Sequence, residues 1–269
     1  MKTVNITCEN TQQEYEIELG LTLRDIKKII FPTNHNHILG ALVNNQLQDL
    51  QYVIMNPKRI NFIDVTSLDG YSIYSRSLIF VLYKAVSDLF PKKILRAEHI
   101  ISNGIFCRVV NKDIILTPER VEMLKNRMQE IIAEDLPVSR EEIPTDEAIR
   151  IFQKAGLKDK AELMETRGKL FTSVYYVDSV LDYFYGTLAP STSCLKVFDL
   201  IPYKDGMLLC LPDRSNPSEL LPVIPQDKLF QVFSEYKRWG KILEVTDIGA
   251  LNKVIEKKHS GTIIKISEA

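Results

Sequence analysis

Ser75-Arg76-Ser77-Leu78-Ile79-Phe80-Val81-Leu82-Tyr83-Lys84-Ala85-Val86-Ser87-Asp88-Leu89-Phe90-Pro91 is the run on which the reading of the chain turns. Leu78, Leu82, Ala85 and Leu89 recur at the three- and four-residue steps of one helical stripe, and Pro91 stands where a helix cannot continue. The spacing predicts a helix over 75–89. Outward on its C-terminal side, Thr117-Pro118 reads as a cap followed by a first-turn proline, and Val121, Leu124, Met128 and Ile131 give that helix its apolar side. Thr145 starts a further helix, with Ile149 and Phe152 inward and Gly156 as its stop. Strand-like runs cover 105–110, 172–177, 194–200 and 207–211, so that 67–212 reads as one α/β block.

On the N-terminal side, Val4, Ile6 and Cys8 alternate, and after Glu9-Asn10-Thr11 the pattern returns with Tyr15, Ile17 and Leu19. That spacing predicts a hairpin. Thr22 caps a short helix with Leu23, Ile26, Ile29 and Ile30 on one side, stopped by Pro32. Ala41-Leu42-Val43 then runs into a turn at Asn44-Asn45, and Ile60, Phe62 and Ile63 make a closing strand. Residues 1–66 thus read as a small α+β domain. Beyond 212, a proline-rich crossing (Pro212, Pro217, Pro222, Pro225) precedes helices expected over about 228–239 and 246–257. The run from Thr262 to Ile266 begins something that breaks off at Ala269, which reads as the chain being cut short there.

A length of 269 residues exceeds one ordinary small domain. Lys and Arg number 34 against 35 Asp and Glu, so the basic excess of a chain that holds nucleic acid mainly through phosphates is missing overall. Cys8, Cys107, Cys194 and Cys210 are far apart, form no C-x-x-C pair and sit in apolar runs, which predicts reduced core thiols. The first residues lack the apolar stretch of a signal peptide, and no run is long enough to span a membrane. A soluble cytoplasmic protein is expected.

Common catalytic signatures do not occur: there is no G-x-x-x-x-G-K-[ST], G-x-G-x-x-G, H-E-x-x-H or G-x-S-x-G. His35-Asn36-His37 reads as a solvated loop pair, His99 as a hydrogen-bonded structural histidine, and His259 as a cation at a helix C-terminus. Glu141-Glu142 and Asp146-Glu147 flank Pro144 in the manner of first-turn charges. Asp178 and Asp182 could line a site, but no partnering acid, base or metal cluster accompanies them, and a structural role is the plainer reading.

The order of these pieces resembles the N-terminal half of threonyl-tRNA synthetase. Leu21-Thr22-Leu23 and Ala41-Leu42-Val43-Asn44-Asn45-Gln46-Leu47 resemble the family's TGS domain, a ubiquitin-like β-grasp module. Asn45 stands where that family has glycine, which a type I′ turn tolerates. Ala97-Glu98-His99-Ile100-Ile101-Ser102-Asn103-Gly104-Ile105-Phe106, Leu116-Thr117-Pro118-Glu119 and Tyr176-Val177-Asp178 resemble segments of its editing domain. About 210 of the residues are covered by the resemblance. The fold it implies is α+β: a TGS domain over 1–66, an editing-like α/β domain over 67–212, and a helical connector over 213–269. In the family, editing uses H-x-x-x-H on the first helix and C-x-x-x-H after the Y-V-D strand. By the resemblance, those four positions are Phe80, Lys84, Phe184 and Leu188 here, none of which can hold zinc. No metal is expected.

The chain is also similar to the region that precedes the kinase domain in a bacterial uridine-kinase-like nucleoside kinase family. That resemblance implies a regulatory or ligand-binding region acting in cis on a kinase domain, with ATP and magnesium confined to that domain and no cofactor in this chain. The vacated cleft, lined by Phe80, Lys84, Asp178, Asp182, Tyr183, Phe184, Tyr185 and Leu188, would then take a nucleotide or the end of a tRNA. The simpler reading is that these aromatics fill the site as core. The alternative function is a stand-alone tRNA-binding or trans-editing protein related to threonyl-tRNA synthetase.

Overall fold

The computed structural model describes residues 2–33, 37–110, 115–257 and 260–268. His35, Asn36 and His259 lie outside them. Strands β1 (Thr3–Cys8) and β2 (Gln13–Glu18) form the expected hairpin, with Val4 opposite Ile17 and Ile6 opposite Tyr15. Helix α1 (Leu23–Ile30) follows, capped at Thr22. Strands β3 (Gly40–Val43), β4 (Gln46–Gln48) and β5 (Lys58–Ile63) complete a five-stranded sheet in the order β2-β1-β5-β3-β4, in which β1 and β5 run parallel. Asn44 and Asn45 both take positive φ, 47° and 63°, the geometry of a type I′ turn. In α1, Leu23 and Ile26 are buried, whereas Ile29 faces solvent, because an eight-residue helix on a small sheet covers only one narrow stripe.

Helix α2 (Leu68–Leu89) starts seven residues earlier than the expected 75 and is capped by Ser67. It packs between three layers. Val65 and Ile63 of the first sheet lie on it; so do α3 (Pro118–Ala133) and the four-stranded antiparallel sheet β11-β12-β7-β6. That sheet comprises β6 (Ile94–Ile101), β7 (Gly104–Val110), β11 (Asp199–Tyr203) and β12 (Gly206–Cys210). Its period-2 alternation serves two faces. Ile105, Cys107, Val109, Met207 and Leu209 meet α2 and α3, while Phe106, Leu208 and Cys210 meet α6 (Asp227–Ile242) through Phe230 and Phe233.

A three-stranded sheet, β10-β9-β8, stands beside it, built from β8 (Val138–Pro144), β9 (Phe171–Val177) and β10 (Val180–Asp182). Strand β9 again alternates: Val174 faces α4 (Thr145–Lys154) and α5 (Lys158–Thr166), whereas Tyr175 and Val177 face α2. Helices α7 (Ile248–Glu256) and α8 (Ser260–Glu268) follow.

Antiparallel sheets and eight helices among the described residues agree with an α+β fold. Two expectations are corrected. The run 194–200 is not one strand: a 3-10 turn, Thr192–Cys194, ends there and β11 begins only at Asp199. His99 is not a satisfied hydrogen-bonded histidine, since its buried Nε2 has no partner. The cysteines are unpaired, with Cys8, Cys107 and Cys210 buried. Among the described residues, no helix is long and apolar enough to cross a membrane.

Candidate functional site

Helix α2 brings Phe80 and Lys84 onto one face, one turn apart, as i and i+4 residues must be. Phe80 is 1% exposed and meets Phe184 with ring centroids 5.2 Å apart. Leu188, Val138, Tyr175 and Val177 close the same small apolar cluster. Three of the four positions that the resemblance assigns to zinc ligands, Phe80, Phe184 and Leu188, therefore converge on one point and fill it.

The fourth, Lys84, is also buried, and its ammonium donates to Asp88 Oδ1 at 2.6 Å and pairs with Asp178 Oδ2 at 3.3 Å. Asp88 is shared with Arg127, whose Nε lies 3.0 Å from Oδ2. Asp178 sits at the β9–β10 turn with φ 52°, a conformation that Asp tolerates better than most residues. Its carboxyl is held below the usual range by the Ser179 backbone N–H first and by Lys84 second.

Asp182 lies apart from this pair. It is buried against Lys160, and the Tyr183 N–H donates to its Oδ1 at 2.6 Å. Burial pushes its carboxyl upward while Lys160 pulls the other way. The Lys160 ammonium also stands 5.6 Å from the Tyr83 ring centroid, and burial raises the Tyr83 hydroxyl to about 12. Tyr183 stacks under Arg167, 5.0 Å from its guanidinium carbon. Tyr185, at 85% exposed, points away from the cluster.

Sequence reasoning missed the residues that hold the 184–190 segment in place. Arg76 donates to the Thr187 carbonyl through Nε at 3.2 Å and a terminal nitrogen at 2.9 Å. The Ala189 N–H donates to Ser77 Oγ at 2.8 Å, and the Tyr175 hydroxyl to the Gly186 carbonyl at 3.0 Å. The Arg76 and Ser77 bonds span more than a hundred residues and leave no local pattern to read. The cavity nearest the cluster, edged by Arg24, Asp49, Tyr175, Leu188 and Pro190, has a volume of about 10 Å³, room for about one water.

The donor set here suits no metal. A phenyl ring, a second phenyl ring and an isobutyl group offer no lone pair, and an ammonium has none to give. Among the described residues, no three His, Cys, Asp or Glu side chains are grouped to hold an ion.

No family model matches the chain. The threonine–tRNA ligase of Methylobacillus flagellatus is 32% identical over 164 residues, which are 61% of this chain and 26% of the ligase. That of Paraburkholderia phytofirmans is 30% identical over 188 residues, 69% of this chain and 29% of the ligase. That of Clostridium tetani is 28% identical over 200 residues, 74% of this chain and 31% of the ligase. The chain thus spans less than a third of the length of these relatives. The similarity overturns the expectation of a uridine-kinase-like parent with a module acting in cis on it, and favours the tRNA-synthetase-related alternative.

Proposed function

We propose that the chain is a tRNA-binding region related to the N-terminal half of threonyl-tRNA synthetase, in which packed side chains stand where the family's editing zinc is held. The observation that carries this reading is the similarity to threonine–tRNA ligases over 60–74% of the chain. Three further features support it. The order β2-β1-β5-β3-β4, with parallel neighbours β1 and β5 and one helix, suits a TGS β-grasp domain over 1–66. Helix α2 and the two antiparallel sheets suit an editing-like domain over 67–212, and α6 to α8 a helical extension over 213–269. The meeting of Phe80, Phe184 and Leu188 suits an inherited site whose ligands have been replaced.

On this reading the region grips tRNA but does not hydrolyse a misattached amino acid through a metal. With a net charge of −1, it neutralises few phosphates. Contact with about three of them gives a slope of roughly −3 in log Kd⁻¹ against log salt, at about −0.9 per phosphate. Fluorescence anisotropy with end-labelled threonine tRNA tests this. The expected result is submicromolar, salt-dependent binding, no deacylation of seryl-tRNA, and zinc well below one equivalent by elemental analysis. Absence of saturable binding up to about 10 µM tRNA would refute tRNA recognition; one equivalent of zinc would refute the replaced site.

A further inference from the structure

The outer face of the four-stranded sheet carries a cavity of about 400 Å³, away from the Phe80 cluster. Edge strand β6, the C-terminal half of α6, the first turn of α5 and the α6–α7 turn wall it. An adjoining hollow of about 430 Å³ shares Lys237 and Lys241 with it and reaches Arg108. Neither belongs to the site described above. The first volume falls within the roughly 300–1,000 Å³ of small-molecule sites.

Strand β6 is irregular where it meets this cavity. Ala97 pairs with Cys107 and His99 with Phe106, so Glu98 is an extra residue in the strand, a β-bulge. A regular strand would turn alternate side chains away, yet Arg96, Ala97, Glu98 and His99 all line the cavity. Bulges at sheet edges re-aim side chains in this way. Among the described residues, two buried side-chain nitrogens lack a hydrogen-bond partner, His99 Nε2 and Arg108 Nε, and the second of these stands at ion-pair distance, 3.7 Å, from Glu98 Oε2. His99 lines the first hollow and Arg108 the second. Buried polar atoms without a partner are few in native proteins, and His99 Nε2 in this wall is one of them.

The charges and rings of the wall divide into engaged and free. Lys237 is paired with Glu98, Arg108 with Asp205 at 2.8 Å and more loosely with Glu98 at 3.7 Å, and Arg96 with Asp159 at a long 3.8 Å. The Lys241 ammonium has no ion pair or hydrogen bond among the described residues, only its backbone carbonyl being engaged, at the end of α6. His99 stacks on Phe233, centroids 4.0 Å apart and planes 19° apart, and Phe233 also lines the cavity. Tyr236, 70% exposed, lines the cavity with no ring partner. Gly240 lies between Tyr236 and Lys241 in the chain. A Cβ there would stand 2.9 Å from the Val245 carbonyl oxygen, so glycine lets the α6–α7 turn close the end of the cavity. One free aromatic face beside one free ammonium, with a loosely held guanidinium opposite, is complementary to a planar ring carrying an anionic group.

We propose that this cavity binds a mononucleotide, with its base against Tyr236 and Phe233 and its phosphate on Lys241. Isothermal titration calorimetry on the full chain tests it, using AMP, CMP, GMP and UMP singly, inorganic phosphate, and a single-stranded RNA hexamer. At least one monophosphate is expected to bind one-to-one, and inorganic phosphate at least about tenfold more weakly. Lys241→Ala should weaken the monophosphate by about tenfold or more, the usual worth of a charged contact. Tyr236→Ala should weaken it severalfold. Both positions are exposed, so circular dichroism is expected to be unchanged. Binding of no monophosphate below about 10 mM, binding unchanged in Lys241→Ala, or phosphate binding as tightly as the nucleotide would each overturn the proposal. So would Lys241-dependent binding of the hexamer when all four monophosphates fail, which would assign the wall to RNA. Because tRNA binding is read separately in the same variants, either idea can fail alone.

Discussion

Phe80→Ala separates a filled site from an open one. If the ring is core, its removal costs the transfer of a large apolar group, about 2–3 kcal/mol. To this is added the unfilled space, which brings Phe→Ala in a packed interior to about 3–5 kcal/mol. Here Phe80 is 1% exposed and touches the cluster of Val138, Tyr175, Val177 and Leu188. Its neighbour Phe184 is only half-buried and can lean into the space, so the lower end applies, about 3 kcal/mol. Urea unfolding followed by far-UV circular dichroism measures the loss. A chain of several packed units need not unfold in one step, so amide exchange at Val177, paired with Val138 across β8–β9, is followed in parallel. Tyr185→Ala, at an 85% exposed position, is the control and should stay within about 0.5 kcal/mol. A Phe80→Ala cost below about 1 kcal/mol would mean that the ring lines a cleft, and the account of a site closed by packing would fall.

Lys160→Met removes the cation that opposes the burial of Asp182. Asp182 is already raised in the folded state, and the variant raises it further. A raised acid favours folding below its unfolded pKa and loses that stability as pH rises. The deficit of Lys160→Met should therefore be small near pH 4 and reach about 3 kcal/mol near pH 8, measured by urea midpoints across that range. Thr22→Ala should cost about 1 kcal/mol, because Thr22 and Asp25 cap α1 reciprocally. The Thr22 hydroxyl holds the Asp25 carboxyl below its ordinary value, so the cap's stability is present above the usual Asp range and lost as pH falls through the folded pKa. Amide exchange in α1 should show that acid-side loss in the parent and not in the variant. Gly70→Ala would set a Cβ 1.7 Å from the Asp64 carbonyl oxygen at the start of α2, and should destabilise by at least about 2 kcal/mol in the same urea assay.

The parts of the fold that sequence made legible are those in which local chemistry and tertiary burial agree. The β1–β2 alternation, the Asn44-Asn45 turn, the α2 stripe and the Thr117-Pro118 start of α3 each carry a local backbone signal that the tertiary structure keeps. Strand β8 was not legible, because Ser139, Arg140, Glu141 and Glu142 face solvent along most of its length and only Val138 and Ile143 mark it as buried. Helix α5, between Gly156 and Gly168, carries too few apolar residues to show a period, only Ala161 and Met164 being buried. At the candidate site, Phe80, Phe184 and Leu188 read alike as core or as cleft lining, since both put apolar side chains at those spacings. What distinguishes them is the segment pinned by Arg76, Ser77 and Tyr175, a long-range device with no local signature.

Strand β6 shows the same limit from the other side. Arg96, Glu98 and His99 interrupt its apolar pattern, and by alternation alone Glu98 and Arg96 would fall on one face with His99 on the other. The bulge at Glu98 breaks that rule, and the carboxylate it turns inward is met by Lys237 of α6, 139 residues away, and at 3.7 Å by Arg108 of β7. A residue that violates the local pattern and is satisfied by cations from other elements is the kind of position at which sequence reasoning fails for a physical reason. That the failure falls on the wall of the second cavity is why Glu98, rather than the more conspicuous aromatics around Phe80, leads to a site where Tyr236 and Lys241 stand free to meet a ligand.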